Sequence, residues 1–201
     1  MFFSSTVPTV EWQTRVDNEW QTLKSEDVFS GKRVVLFALP GAFTPTCSNF
    51  QLPGFDLRYN EFIENGIDEV YCLSVNDSFV MNAWFESLDI KNVKAIPDGS
   101  VAFTNRLGMS VAKDHVTFGL RSWRYAMVVN DGEIEQGFIE KGFGHNTADD
   151  PYEISTPENV LAFLRGDDFI TGNDEATVEP EGKHIELVLD DSADIKERFG
   201  S

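Results

Sequence analysis

Seven residues at 33–39, RVVLFAL, form a nearly uninterrupted apolar run that stops at Pro40-Gly41. A run this short, rich in Val and Leu and closed by turn residues, is a buried strand. The adjoining segment, PGAFTPTC at 40–47, is a loop that turns into a helix. Thr44 before Pro45 gives a helix cap and a first helical residue in sequence. The helical stretch continues to about Asn65, with a kink or break expected at Pro53-Gly54.

The same alternation then repeats. EVYCLSVN at 69–76 reads as a second strand. SFVMNAWFESL at 78–88 reads as a helix capped by Asp77 or Ser78. A third strand is expected at 93–97, a helix at 99–107 and a strand at 123–130. Asp131-Gly132 signals a hairpin into 133–139. Thr156-Pro157-Glu158 opens a last helix to about Arg165. Strands alternating with helices imply parallel pairing, and the hairpin adds antiparallel strands at one side. The order is that of an α/β thioredoxin-like fold, a central mixed β-sheet flanked by helices.

Residues 1–166 fit one domain with enough apolar material for a core, at 41% hydrophobic and 17 Phe in the whole chain. Residues 167–201 are a different kind of segment, with 11 Asp and Glu against 3 Lys and Arg. This acidic extension fits a hairpin at 175–189 and a short helix at 192–199.

Charge and cysteine content narrow the function. A formal charge of −18 argues against nucleic acid and anionic membranes as partners. The start, MFFSS, shows neither a secretory signal nor a transmembrane run. Two cysteines, Cys47 and Cys72, cannot frame a chain of 201 residues with disulfides, so a reducing, cytoplasmic setting is expected. His115, His145 and His184 show no ligand spacing, and no metal is expected. The absence of Cys-x-x-Cys, of a marked Cys–His pair and of phosphate-loop or dinucleotide fingerprints disfavours those chemistries.

Cys47 is the third helical residue, where the free N–H groups and partial positive charge of the first turn favour a thiolate. The Thr44 hydroxyl is within reach of the sulfur or of a substrate oxygen. Pro40 and Pro45 restrict the loop. A thiolate attacking a bond whose leaving atom gathers negative charge gains from a fixed cation that stabilises that charge. Arg121 and Arg124 are the candidates. Cys72 lies mid-strand, the setting of an inert buried thiol. With Leu73 to Asn76 still to come before the strand ends, it is expected roughly 13 Å below the active loop. A Cys47–Cys72 bridge would then need local unfolding.

PGAFTPTCS, CLSVNDSFVMNAW at 72–84 and RSWRYAMVVNDG at 121–132 resemble the peroxiredoxin-5 subfamily of the peroxiredoxins. The likeness spans about residues 5–165 and is greatest to the peroxiredoxin part of bacterial hybrids that carry a fused glutaredoxin domain, which this chain lacks. The resemblance implies a thiol peroxidase that reduces hydrogen peroxide and organic hydroperoxides without a cofactor. Cys47 matches the peroxidatic nucleophile, Thr44 the threonine that bonds thiolate and peroxide, Pro40 the shielding proline and Arg124 the active-site arginine. Thr46, Phe43 and Arg121 fall in supporting positions. No cysteine stands near the start of the last helix, where some relatives carry a resolving one. The resemblance therefore implies a single-cysteine cycle resolved by glutathione, with glutaredoxin or thioredoxin as further partners, and a homodimer packed along the side of Phe43, Phe79 and Phe118.

Overall fold

The computed structural model describes residues 5–172. The hairpin and helix expected within 175–199 lie outside the described residues. The chain opens on an antiparallel hairpin, β1 (Glu11–Val16) and β2 (Glu19–Lys24), which the sequence pattern did not announce. Its turn, Asp17-Asn18, has both residues at positive φ, the backbone of a type I′ turn, which Asn and Asp tolerate. A short α1 (Ser25–Phe29) leads to β3 (Arg33–Leu39). After the active loop come a π-helical turn at Cys47–Gln51, α2 (Leu52–Leu57) and α3 (Tyr59–Glu64).

The helical stretch breaks at Arg58 and not at Pro53-Gly54. Pro53 has no N–H and its ring crowds the carbonyl four residues back. The widened turn just before it absorbs that conflict, so the helix continues through the proline. Gly54 permits the close approach behind it, since a Cβ there would stand 3.3 Å from Pro157 Cγ.

Next are β4 (Glu69–Ser74), α4 (Ser78–Ser87), β5 (Lys94–Pro97) and α5 (Ala102–Arg106). Asp77 caps α4 by accepting from the N–H of Phe79 and of Val80. A small two-stranded sheet, β6 (Ser110–Ala112) with β7 (Leu120–Ser122), is a second element without a signal in the sequence pattern. The hairpin of β8 (Tyr125–Asn130) and β9 (Glu133–Ile139) turns at Asp131-Gly132, both at positive φ, as its sequence signal predicts. The last helix, α6 (Pro157–Arg165), starts where expected, with Thr156 Oγ1 accepting from Asn159 N. Packing continues past it: Asn159 exchanges hydrogen bonds with Ile170, and the Phe169 ring meets Phe138 and Phe163.

The main sheet has the order β5-β4-β3-β8-β9, with β3, β4 and β5 parallel and β8 and β9 antiparallel to their neighbours. It is the mixed sheet flanked by helices that the sequence implied. Because strand side chains alternate, β3 serves two cores at once. Val34, Leu36 and Ala38 join Trp12, Phe29, Phe103 and Trp123 on one face. Val35, Phe37 and Leu39 join Cys47, Phe55, Phe62, Trp84 and Leu161 on the other.

Candidate active site

The site forms where β3 ends. Pro40 and Gly41 are buried, Phe43 turns the chain at φ +63°, and the helix begins at Pro45 as the sequence predicted. Asn76, just past β4, holds the loop: its Oδ1 accepts from Ala42 N (3.0 Å), Ser74 Oγ (2.7 Å) and Arg121 Nη1 (3.4 Å). Arg121 also donates to the Phe118 and Val75 carbonyls. A Cβ on Gly41 would stand 3.0 Å from Arg121 Nη1, so glycine is what admits this arginine against the loop. Arg121 thus ties the loop to the end of β4. Burial holds its guanidinium below the ordinary value.

Cys47 is fully buried. Its neighbour Ser48 is anchored twice, by N–H donation to Thr44 O (2.9 Å) and by accepting Trp84 Nε1 at Oγ (3.0 Å). The first-turn amide is therefore engaged within the helix, and the donor that reaches the sulfur is a side chain. Arg124 Nη1 lies 3.5 Å from Cys47 Sγ. The sheet explains the meeting. β8 runs antiparallel to β3 with Tyr125 opposite Ala38, so the residue before Tyr125 stands beside the end of β3 from which the active loop departs.

Arg124 is 1% exposed. Nη1 also donates to Gln51 Oε1 (2.5 Å), Nη2 donates to Asp150 Oδ1 (2.5 Å), and the Tyr152 ring lies 5.7 Å from the guanidinium carbon. Burial pulls the guanidinium down, but Cys47 and Asp150 together more than offset it and raise it above its ordinary value. Arg124 Nε is buried with no acceptor among the described residues. Thr44 is half-buried and its hydroxyl donates to Gly41 O at 2.7 Å. That bond uses its single proton, so the oxygen offers lone pairs to a donor. Thr46 is half-buried on the first turn, while Phe43 is 58% exposed at the rim.

Three partners of this pocket carry no signal in the sequence: Gln51, Asp150 and Tyr152. The loop that carries the last two is closed by Glu140. This buried carboxylate accepts from the N–H groups of Glu153, Ile154 and Ser155 and from Ser155 Oγ at one oxygen. Burial, then Glu158, raises the Tyr152 phenol far above its usual range.

Cys72 departs from its expected place. β4 ends at Ser74, not Asn76, so Cys72 stands two residues, about 7 Å, below the strand end. It shares one apolar cluster with Cys47. Burial, and after it the nearby Cys47 charge, pushes its thiol well up. A thiol so held is a poor nucleophile.

Similarity to known proteins agrees with this geometry. Residues 4–153 match the Redoxin family. A peroxiredoxin of Rhizobium etli is 55% identical over 179 residues, covering 85% of this chain and all of that protein. A hybrid peroxiredoxin of Haemophilus influenzae is 44% identical over 162 residues, 79% of this chain and 64% of its own length. Among solved structures, the Plasmodium falciparum antioxidant protein, a 1-Cys peroxiredoxin, superposes with a TM-score of 0.77 at 39% identity, covering 81% of this chain and 97% of that one. Reduced Prx3 of Vibrio vulnificus in complex with hydrogen peroxide gives a TM-score of 0.72 at 35% identity, covering 79% and 96%.

Proposed function

We propose, from the premise that the chain belongs to the Redoxin family and is a peroxiredoxin, that Cys47 reduces hydrogen peroxide and organic hydroperoxides in a single-cysteine cycle completed by glutathione. The observation that carries this is the Arg124 guanidinium, buried and 3.5 Å from the Cys47 sulfur. The thiolate attacks one peroxide oxygen, the O–O bond breaks, and the leaving oxygen takes a proton to become water or an alcohol. Cys47 becomes a sulfenic acid. Thr44, whose oxygen accepts, orients the O–H of the peroxide. Arg124 stabilises the charge that grows on the leaving oxygen. Pro40 shields the sulfur from solvent, and Thr46 and Phe43 border the entrance.

Glutathione then condenses with the sulfenic acid, releasing water and leaving a mixed disulfide. A second glutathione, or a glutaredoxin, attacks that disulfide and returns the thiol. Two features support an external thiol. Cys72 is buried and held as a thiol, and the segment before α6, at 150–156, contains no cysteine. The 1-Cys designation of the Plasmodium protein and the hybrid name of the Haemophilus protein point the same way. No cofactor enters the cycle, and two free thiols accord with a reducing cytoplasm.

We further propose a homodimer. Phe43, Phe79 and Phe118 are all exposed, and Trp20, exposed as well, packs edge-on against Phe79. Sedimentation should give a dimer at micromolar concentration, and a monomer alone would refute it. The activity is tested by peroxide consumption with glutathione, alone and with glutaredoxin or thioredoxin added. Glutathione should sustain many turnovers in the wild type and none in Cys47→Ser. Turnover by that variant would sink the assignment, and a wild type that turns over only with thioredoxin would sink the choice of reductant.

A further inference from the structure

The loop at 146–155 is fastened at both ends by bonds that do not involve the reacting groups. At its start Asn146 N donates to Ala112 O (2.7 Å), and Asn146 Oδ1 accepts from Asp114 N (2.7 Å). At its end Glu140 accepts from the N–H groups of Glu153 (3.0 Å), Ile154 (2.9 Å) and Ser155 (2.7 Å). Between these anchors stands Asp150, whose Oδ1 accepts from Arg124 Nη2 at 2.5 Å. Because the loop is held without it, this ion pair acts on the arginine and not on the loop.

A guanidinium carries its donors in one plane. Arg124 Nη1 serves both Cys47 Sγ (3.5 Å) and Gln51 Oε1 (2.5 Å). Gln51 Nε2 in turn donates to Ala38 O (3.5 Å), which keeps the Gln51 carbonyl oxygen turned to the arginine. A fork bonded at Nη1 alone could pivot there and carry its donors off the sulfur. The Asp150 bond at Nη2 removes that freedom, and the Tyr152 ring lies 5.7 Å from Cζ. The same carboxylate competes with the sulfur for the arginine's charge. Burial pulls the guanidinium down, and Cys47 and then Asp150 pull it up.

We propose that Asp150 is a positioning residue for peroxide reduction, which holds Arg124 in the orientation that reaches the Cys47 sulfur and shares the arginine's positive charge with the thiolate. This inference rests on the reading of Arg124 as the group that stabilises the leaving oxygen. Orientation matters because the donor must already face the place where charge grows. Sharing matters because a thiolate beside an undivided cation forms more readily but is a weaker nucleophile. The Asp150 side chain is 45% exposed against 1% for Arg124, so it can be exchanged with little disturbance to the core.

The test compares Asp150→Asn, which keeps an acceptor oxygen and removes the charge, with Asp150→Ala, which removes both. Stopped-flow tryptophan fluorescence follows sulfenic acid formation. Thiolate ultraviolet absorbance, read in a Cys72→Ser background, follows Cys47 ionisation. With the thiol fully ionised, Asp150→Ala should react with hydrogen peroxide about tenfold slower or more, the cost of a misplaced catalytic group. Asp150→Asn should stay within about threefold of the wild type, the loss that a Brønsted slope near one half gives for one unit. Both variants should ionise Cys47 at lower pH, by about half a unit to one unit, a change that a merely structural role would not produce. Their near-ultraviolet circular dichroism should match the wild type, since Glu140 and Asn146 still hold the loop. Asp150→Ala at the wild-type rate, equal losses in the two variants, or an unmoved ionisation midpoint overturns the proposal while Arg124 keeps its role. Near-normal kinetics in Arg124→Lys overturns both.

Discussion

Arg124 has contacts that a lysine cannot reproduce. Its two terminal nitrogens divide among Cys47, Gln51 and Asp150, while Nε has no acceptor among the described residues, and only a planar fork presents donors in those directions together. Arg124→Lys should keep the charge and lower the rate of sulfenic acid formation by about an order of magnitude or more, the scale of one lost transition-state donor. Stopped-flow tryptophan fluorescence reads that step, and near-normal kinetics would shift the role to Arg121. The two cysteines separate in the same way. Cys72→Ser should retain most activity. Peroxide without small thiols should leave a sulfenic acid on Cys47, and excess peroxide a sulfinic acid. Intact mass checks this, and a loss of two hydrogens with Cys47 and Cys72 in one linked peptide would overturn the single-cysteine cycle. Cys47 and Thr44 were legible because they sit in a contiguous loop-to-helix stretch whose local pattern has chemical meaning. That pattern left Arg121 and Arg124 open, and only the family resemblance singled out Arg124 and the shielding role of Pro40. Gln51, Asp150 and Tyr152 were not legible, because each enters the pocket only through the packing of a helix turn or loop distant in sequence.

At the scale of elements, periodicity marked the strands buried on both faces and the helices with side-chain caps. β3 is announced by its apolar run, and α4 and α6 by Asp77 and Thr156. The hairpin of β1 and β2 was missed because its strands alternate weakly and β2 is mostly exposed. Its attachment depends on Asp98, which no local pattern singles out. This fully buried carboxylate accepts from Trp12 Nε1 (3.1 Å), Phe103 N (3.1 Å) and Thr104 N (2.9 Å). It joins the hairpin, the end of β5 and the start of α5 in one place. Asp98→Ala leaves three buried donors without an acceptor, each loss being worth about 1–3 kcal/mol, so a cost of about 3 kcal/mol or more is expected. Asp77→Ala removes only an exposed cap and should cost about 1 kcal/mol. Urea unfolding of the two variants measures the difference. Equal costs would show that the Asp98 cluster does not hold these elements together.

Across the whole molecule the phenols form a single class. The chain has 4 tyrosines, and all are raised. Tyr59 is pushed up to about 12, by burial first and then by its hydrogen bond to Glu69. Tyr71 is pushed up to about 12 by burial and by the same carboxylate. Tyr125 and Tyr152 stand higher still, through burial above all. Unfolding returns each phenol to about 10. Below pH 10 both states keep these protons, and the stability linked to them is fully present. Between pH 10 and 12 the unfolded chain releases its protons first, so stability falls with rising pH and is lost as the folded values are passed. The chain's formal charge of −18 adds self-repulsion that grows with each phenolate formed. The urea midpoint should therefore hold between pH 7 and 9 and decline steadily above pH 10. Tyrosinate absorbance should appear together with unfolding and not before it. Tyr59→Phe should make the decline shallower, because one linked proton is removed. Phenolates that form near pH 10 in protein still folded by circular dichroism would show that burial does not govern these groups.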